Sequence, residues 1–370
     1  MAVKKGYFPS ISTRVGEFLA YDLCDAAIKD AMMPIVTLTR YEETESFADA
    51  AHALVGGLDG RPAIVDFDAK PRIVTSAAEA VERRRRAAIR RAAAGQNPAR
   101  PRSERELAND AERTRKTVAF NDNLQRLLDP KTGPTAWLEM TRALPELTPV
   151  VRLLDRESLW GQLDFMSDAG RRSAIRVRVD ERLEVDLVVS VAEIIRSNVG
   201  SIDLIVDADN IWGRSDLALA KASSLLERLE TEIGDRFAEL RIILLSTSFP
   251  KVALKTVPNV LRIEELILLE NLGRRFDVHF GDYGSLPNRT EDVIARGWFP
   301  HVDLVTRDRW HIELIEVNRS AAGYIAAAGA IRAKPEWRER ADCWGAGSSI
   351  RSRRGSRLSK ARSSPIHHHG

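Results

Sequence analysis

Charged side chains recur at every second position of several short apolar runs, and this spacing is the chain's most distinctive chemical feature. In SAIRVRVD, Ile175, Val177 and Val179 alternate with Arg176, Arg178 and Asp180. In RPAIVDFD, Val65 and Phe67 alternate with Asp66 and Asp68; in SIDLIVDAD, Leu204, Val206 and Ala208 alternate with Asp207 and Asp209. Residues two apart share one face of a strand, so each run has a greasy face and a charged one. Further runs add Thr37 and Thr39, Arg152, Ser246 and Ser248, Arg262 with Glu264, and Asp282 of GDYG. Arginine forks clamp carboxylates and phosphates bidentately. Carboxylates act as general acids or bases, or hold Mg²⁺. The set would therefore serve an anionic or phosphorylated ligand, and its DxD pairs would suit metal-assisted phosphodiester hydrolysis with Arg176 or Arg178 neutralising charge on phosphate. The same residues would equally build an internal ion-pair network with no chemistry.

The elements that must position these residues follow from periodicity. Strand-length apolar runs alternate with helix-length amphipathic segments, the order that parallel βα units produce. The strand candidates are GYFPSIST, MPIVTLTR, RPAIVDFD, LTPVVRLL, SAIRVRVD, SIDLIVDAD and LRIILLSTS, and then either NVLRIEEL or DVHFGDYG, one of which is spare. Helical spacing runs over residues 15–31, 45–58, 135–144, 191–198 and 215–240. The apolar strand faces must pack on those helices, which turns the charged faces into a lumen. The expected fold is α/β, a (β/α)8 TIM-barrel-like parallel barrel. An open doubly wound sheet would share the periodicity, but several charges fall at strand C-terminal ends, where barrels place their sites. The candidate ligand-binding set is Asp66, Asp68, Arg152, Arg176, Arg178, Asp207, Asp209, Glu264 and Asp282.

Two regions interrupt the rhythm. Residues from about 77 to 130 carry ERRRRAAIRRAAAG, the break NPARPR and a second helical run, and are expected to form an inserted helical hairpin. HVDLVTRDRWHIELIEV alternates on both sides of an RDR turn, the signature of a β-hairpin, within an expected C-terminal cap at about 290–350. Residues 1–350 would then form one barrel domain, and 351–370 a basic tail of disordered composition.

The net charge of +3 hides an asymmetry. From Glu82 to Lys116 there are twelve Lys/Arg against five Asp/Glu, and from Arg351 to the end six basic residues and no acid, which leaves −10 for the body. The arginine-rich helix, with Arg83, Arg84, Arg85, Arg86, Arg90 and Arg91, invites comparison with phosphate-backbone binders. No aromatic residue interleaves to stack on bases, so a solvated helix against an acidic body is favoured over nucleic-acid binding. A small anionic molecule or a protein partner remain as the other partner classes.

Several chemistries are excluded by what is missing. Cys24 and Cys343 form no CxxC pair, and His52, His279, His301 and His311 are scattered, so neither a disulfide framework nor a metal-ligating His/Cys set is expected. No GxGxxG follows a strand, and there is no GxxxxGK, HExxH or GxSxG motif. The sequence leaves the cofactor open. The first residues carry charge without an apolar segment, and no run approaches membrane-spanning length, so a cytoplasmic protein without membrane attachment is expected.

A series of phrases resembles the beta protein family, a group found in phages and bacteria: YFPSISTRVGEFLA, MMPIVTLTR, RPAIVDFD, LSTSFP, RIEEL, HFGDYGS, DLVTRDRWHIELIE, AGYIAAAGAIRAKPEW and WGAGSSI. Their order covers residues from about 5 to 350, leaving the insertion and tail outside. The resemblance implies a barrel protein tied to phage, phage-defence or mobile-element biology, and carries no established reaction. The family tends to have an acidic residue where Thr37 stands here, and an Asp where Ala346 stands.

Overall fold

The computed structural model describes residues 6–13, 15–39, 44–71, 77–93, 95, 97, 103–250, 254–284, 299–316 and 321–339. Its strands are β1 (Tyr7–Ser12), β2 (Ile35–Leu38), β3 (Ala63–Phe67), β4 (Leu147–Pro149), β5 (Ser173–Arg178) and β6 (Ile202–Asn210). They continue with β7 (Arg241–Thr247), β8 (Val260–Arg262), β9 (Val278–Asp282), β10 (His301–Val305) and β11 (Arg309–Leu314). The helices begin with α1 (Val15–Asp22), α2 (Ala26–Asp30), α3 (Phe47–Leu58), α4 (Ala77–Ala93), α5 (Glu104–Leu128) and α6 (Gly133–Arg142). Then come α7 (Arg156–Asp168), α8 (Arg182–Ser190), α9 (Ala192–Asn198), α10 (Ser215–Ile233), α11 (Glu264–Gly273) and α12 (Ala321–Ala333).

Eight strands pair in parallel in the order β4-β3-β2-β1-β9-β7-β6-β5. A parallel bridge between Val150 and Ala174, with the Val151 N–H donating to the Ala174 carbonyl at 2.8 Å, joins the two ends into an α/β barrel. The chain separates into this barrel unit and a second unit built on β8, β10, β11 and α12. In the second unit β10 and β11 form the expected hairpin about residues 306–308, and β8 adds antiparallel to β11. β8 is therefore the spare, and DVHFGDYG supplies the eighth barrel strand.

Burial explains the alternation. Val36, Leu38, Val65, Phe67, Ile175, Val177, Leu204, Val206, Ile242, Leu244 and Val278 face outward and pack on the helices in one large core. A second, smaller core takes Phe8, Ile35, Ile64, Val150, Ala174, Ile205, Ile243, Leu245 and Tyr283, drawn from around the ring; this is the lumen. The interior is therefore layered, with an apolar middle between polar ends, and the expectation of a charged lumen throughout is corrected. Core density demands it, because unpaired charge at mid-barrel would have no water to solvate it.

The helical insertion also needs revision. α4 and α5 both form, and Ser103 caps α5 in a reciprocal box with Glu106. The second half of α5, however, buries Phe120, Leu124 and Leu127, with the Phe120 ring 4.5 Å from that of Phe47. That half is part of the barrel's helical shell. The expected 15–31 helix is two, α1 and α2, and the 215–240 helix ends at Gly234, whose φ of 60° leaves helical geometry.

Candidate functional site at the barrel mouth

At the C-terminal ends of the strands Arg176 organises a compact polar group. Its Nε and Nη2 donate to Asp207 Oδ2 at 2.9 and 2.8 Å, and Nη1 donates to Asp66 Oδ2 at 3.1 Å. Nη2 also donates to the Tyr283 hydroxyl at 2.6 Å, which in turn donates to Asp207 Oδ2 at 2.7 Å. Asp207 is fully buried, while the Arg176 side chain keeps 15% and Asp66 23% of their exposure. Burial works against the Arg176 charge, but Tyr283, Asp207 and Asp66 outweigh it and hold its pKa well above the ordinary value. The group is an ion-pair floor open to solvent on the Asp66 side.

Around that floor the sequence-derived residues divide. Asp66, Arg176 and Asp207 converge as expected. Asp209 follows a bulge in β6 and adopts a left-handed backbone with φ 54°, and its N–H donates to Asp207 Oδ1 at 2.9 Å. A non-glycine residue there is strained, and such strain collects at ligand sites. Arg178 sits two residues above Arg176 on the same strand face; its backbone N–H donates to Glu184 at 2.8 Å. Its buried Nε has no hydrogen-bond partner among the described residues. Arg152 lies with its guanidinium 4.9 Å from the centre of the Phe67 ring and donates weakly to the Leu127 carbonyl at 3.4 Å. Burial lowers the Arg152 pKa and the nearby Asp66 opposes this.

Other expected residues stand elsewhere. Asp68 accepts the Lys70 N–H at 3.0 Å in a turn. Glu264 is the first residue of α11, not a strand residue, and its carboxylate accepts the Gly213 N–H at 3.2 Å. Arg262 belongs to β8 in the second unit. Asp282 shares the parity of Val278, so it points to the outer wall, where Oδ1 accepts from the Tyr7 hydroxyl at 3.0 Å. Ser246 and Ser248 also face outward, because Ile243 and Leu245 take the lumen positions of β7. Thr39 bonds to Thr13 at 3.1 Å.

Two residues of the mouth escaped the sequence reading. Tyr283 falls inside because Gly281 does; a Cβ on Gly281 would meet the Phe8 carbonyl oxygen at 2.9 Å, so only glycine lets β9 close against β1. The signal was available in the parity of VHFGDY. Glu184, held above the usual carboxylate pKa by burial despite the Arg178 N–H, comes from α8, which no periodicity argument had marked.

Among the described residues no group of three or more His, Cys, Asp or Glu side chains stands close enough to hold a metal ion, and Asp66 and Asp207 are turned to Arg176. On α4, Arg85 and Arg86 pair with Glu82 at 3.8 and 2.9 Å, and on α5 Arg115 pairs with Glu45 and Glu112 at 2.7 and 2.8 Å. Part of the basic charge is thus spent locally. Residues 98–102 and the tail lie outside the described residues. Among the described residues no helix is long and apolar enough to cross a membrane.

Fold and mouth together define a (β/α)8 barrel protein with an ion-paired floor beneath its C-terminal opening. The family model described as Beta protein matches residues 7–365, and the chain belongs to that family. The match reaches into the basic tail and takes in the helical insertion, both of which the sequence reading had left outside. Protein beta of Enterobacteria phage P4 is 27% identical over 233 residues, covering 60% of this chain and 62% of that protein. The aligned region thus spans less than two thirds of that curated relative. These relationships make the chain a phage-associated protein.

Proposed function

We propose that this is a cytoplasmic protein of phage or phage-defence biology that binds a small anionic ligand, phosphate or carboxylate in class, at the C-terminal mouth of its barrel. One observation carries the reading. Arg178 Nε is buried with no hydrogen-bond partner, and neither Arg152 nor Arg178 forms an ion pair with a carboxylate among the described residues, whereas Arg176 is engaged by two. A buried guanidinium nitrogen without an acceptor is costly, and a planar anion is the partner that a guanidinium fork fits best. The mouth is also where barrels of this architecture bind their ligands. Asp66, Asp207 and Tyr283 keep Arg176 in place as a preorganised floor. Binding fits this arrangement better than metal-assisted hydrolysis, since the aspartates that would hold Mg²⁺ are already committed to Arg176, to Tyr283 and to backbone N–H groups.

The test is a thermal-shift and calorimetric panel of inorganic phosphate, pyrophosphate, nucleoside phosphates and di- and tricarboxylates. At least one should bind saturably to the natural protein and at least tenfold more weakly to the double variant Arg152→Met, Arg178→Met. Equal binding by that variant, or no binding across the panel, overturns the proposal.

A further inference from the structure

The outer wall of the barrel holds a second group of buried oxygens, separate from the mouth. Ser246 on β7 and Asp282 on β9 are direct register partners. Both face away from the lumen. α11 packs on the same wall: Glu265, in its first turn and fully buried, accepts the Ser248 N–H through Oε2 at 2.9 Å. Asp282 Oδ1 accepts from the Tyr7 hydroxyl and from the Gly284 N–H at 3.0 and 3.1 Å. Ser246 Oγ and Glu265 Oε1 have no hydrogen-bond partner among the described residues, and neither residue has any solvent exposure. Buried hydroxyls and carboxylates are normally satisfied, and these two do not satisfy each other.

Charge points the same way. Burial, and then the neighbouring Asp282, pushes the Glu265 carboxyl up to about 7. Burial likewise pushes Asp282 up to about 6. No Lys or Arg of the described residues forms an ion pair with either carboxylate, in contrast to Asp207 and Asp203, which both pair with arginines. The wall therefore gathers two carboxylates and a hydroxyl with no positive side chain paired to them.

We propose that Ser246, Glu265 and Asp282 form a binding site for a hard divalent cation of the Mg²⁺ class, on the outer wall between β7, β9 and the start of α11. All donors are oxygens, which selects a hard cation over a soft one. Mg²⁺ needs only one or two protein carboxylates because it retains waters, and half-buried Asp282 leaves room for them on its exposed side. The ion would supply the counter-charge that no side chain supplies and would fix α11 to the barrel wall.

The experiment is a melting series in MgCl₂ and CaCl₂ at matched ionic strength and pH 8, after treatment with chelator. The natural protein should gain a saturable rise in Tm with Mg²⁺. Glu265→Gln and Asp282→Asn should weaken that response at least tenfold, Ser246→Ala by a smaller factor, and the Arg152→Met, Arg178→Met variant should retain it in full. Should the acid variants not fold, electron paramagnetic resonance of Mn²⁺ with the natural protein and with Ser246→Ala decides: a bound signal displaced by Mg²⁺ and weakened by the substitution supports the site. No bound Mn²⁺, no saturable response to Mg²⁺, or a response undiminished in Asp282→Asn overturns it. Stabilisation by Glu265→Gln without any response to Mg²⁺ also overturns it and assigns a shared proton to the pair.

Discussion

At the N-terminal end of the lumen Arg172 and Arg241 close on one buried carboxylate, Asp203, whereas at the C-terminal mouth Arg176 is shared between two, Asp207 and Asp66. The lower group uses Arg172 Nη1 on the Gly200 carbonyl and sets Arg241 beside Phe8 and Met33. Its backbone is regular. The upper group adds the strained Asp209, a tyrosine bridging both ions, and two further arginines without carboxylate partners among the described residues. Similar side chains thus close one end of the barrel and leave the other with unused donors. What separates the two is Arg178 Nε, buried at the upper end without a partner among the described residues.

This comparison can be broken by removing one carboxylate at a time. Asp207→Ala should have the largest effect, a loss of about 3–5 kcal/mol in chemical denaturation, because it strands the buried Arg176. A loss below 1 kcal/mol would show that the floor is not a buried ion pair in energetic terms. Asp203→Asn should cost less, about 2–3 kcal/mol, since both of its arginines remain partly exposed.

The outer wall sharpens the contrast, because its carboxylates pair with no arginine among the described residues. Their pKa values are raised above those of the unfolded chain, so the folded state holds more protons. The stability they contribute is full below the unfolded values near 4 and is lost as pH rises through about 6 for Asp282 and about 7 for Glu265. In chelator, the natural protein should lose stability on the order of 2 kcal/mol between pH 5 and pH 8, and Glu265→Gln should lose less. A flat profile in both would contradict the assignment. Tyr283→Phe should have the smallest effect, about 1 kcal/mol, through one hydrogen bond to Asp207 and one from Arg176.

Much of the barrel was legible in the sequence because a parallel strand buried on its outer face must show its parity. SAIRVRVD and RPAIVDFD read correctly where apolar and charged residues alternate: Ile175, Val177, Val65 and Phe67 face the helices, and Arg176 and Asp66 face the lumen. The same rule, applied to VHFGDY from Val278, sends Asp282 outward and Tyr283 inward. NVLRIEEL misled for a different reason. Three residues of strand followed closely by a helix give too short a period to distinguish, so Glu264 reads as a strand residue although it opens α11. The apolar middle of the lumen was hidden because Ile35, Ile64, Ile205 and Ile243 belong to continuous apolar runs, in which the inward residues cannot be told from the outward ones. Glu184 could not be found at all, since only the fold brings α8 over Arg178.

The central claim is that the two ends of the lumen differ in function, and calorimetric titration of the tightest-binding anion into Arg178→Met and Asp203→Asn tests it most directly. Arg178→Met should keep its stability and lose affinity at least tenfold, while Asp203→Asn should lose stability and keep its affinity. Unchanged affinity in Arg178→Met, or an equal loss in both variants, would contradict the account.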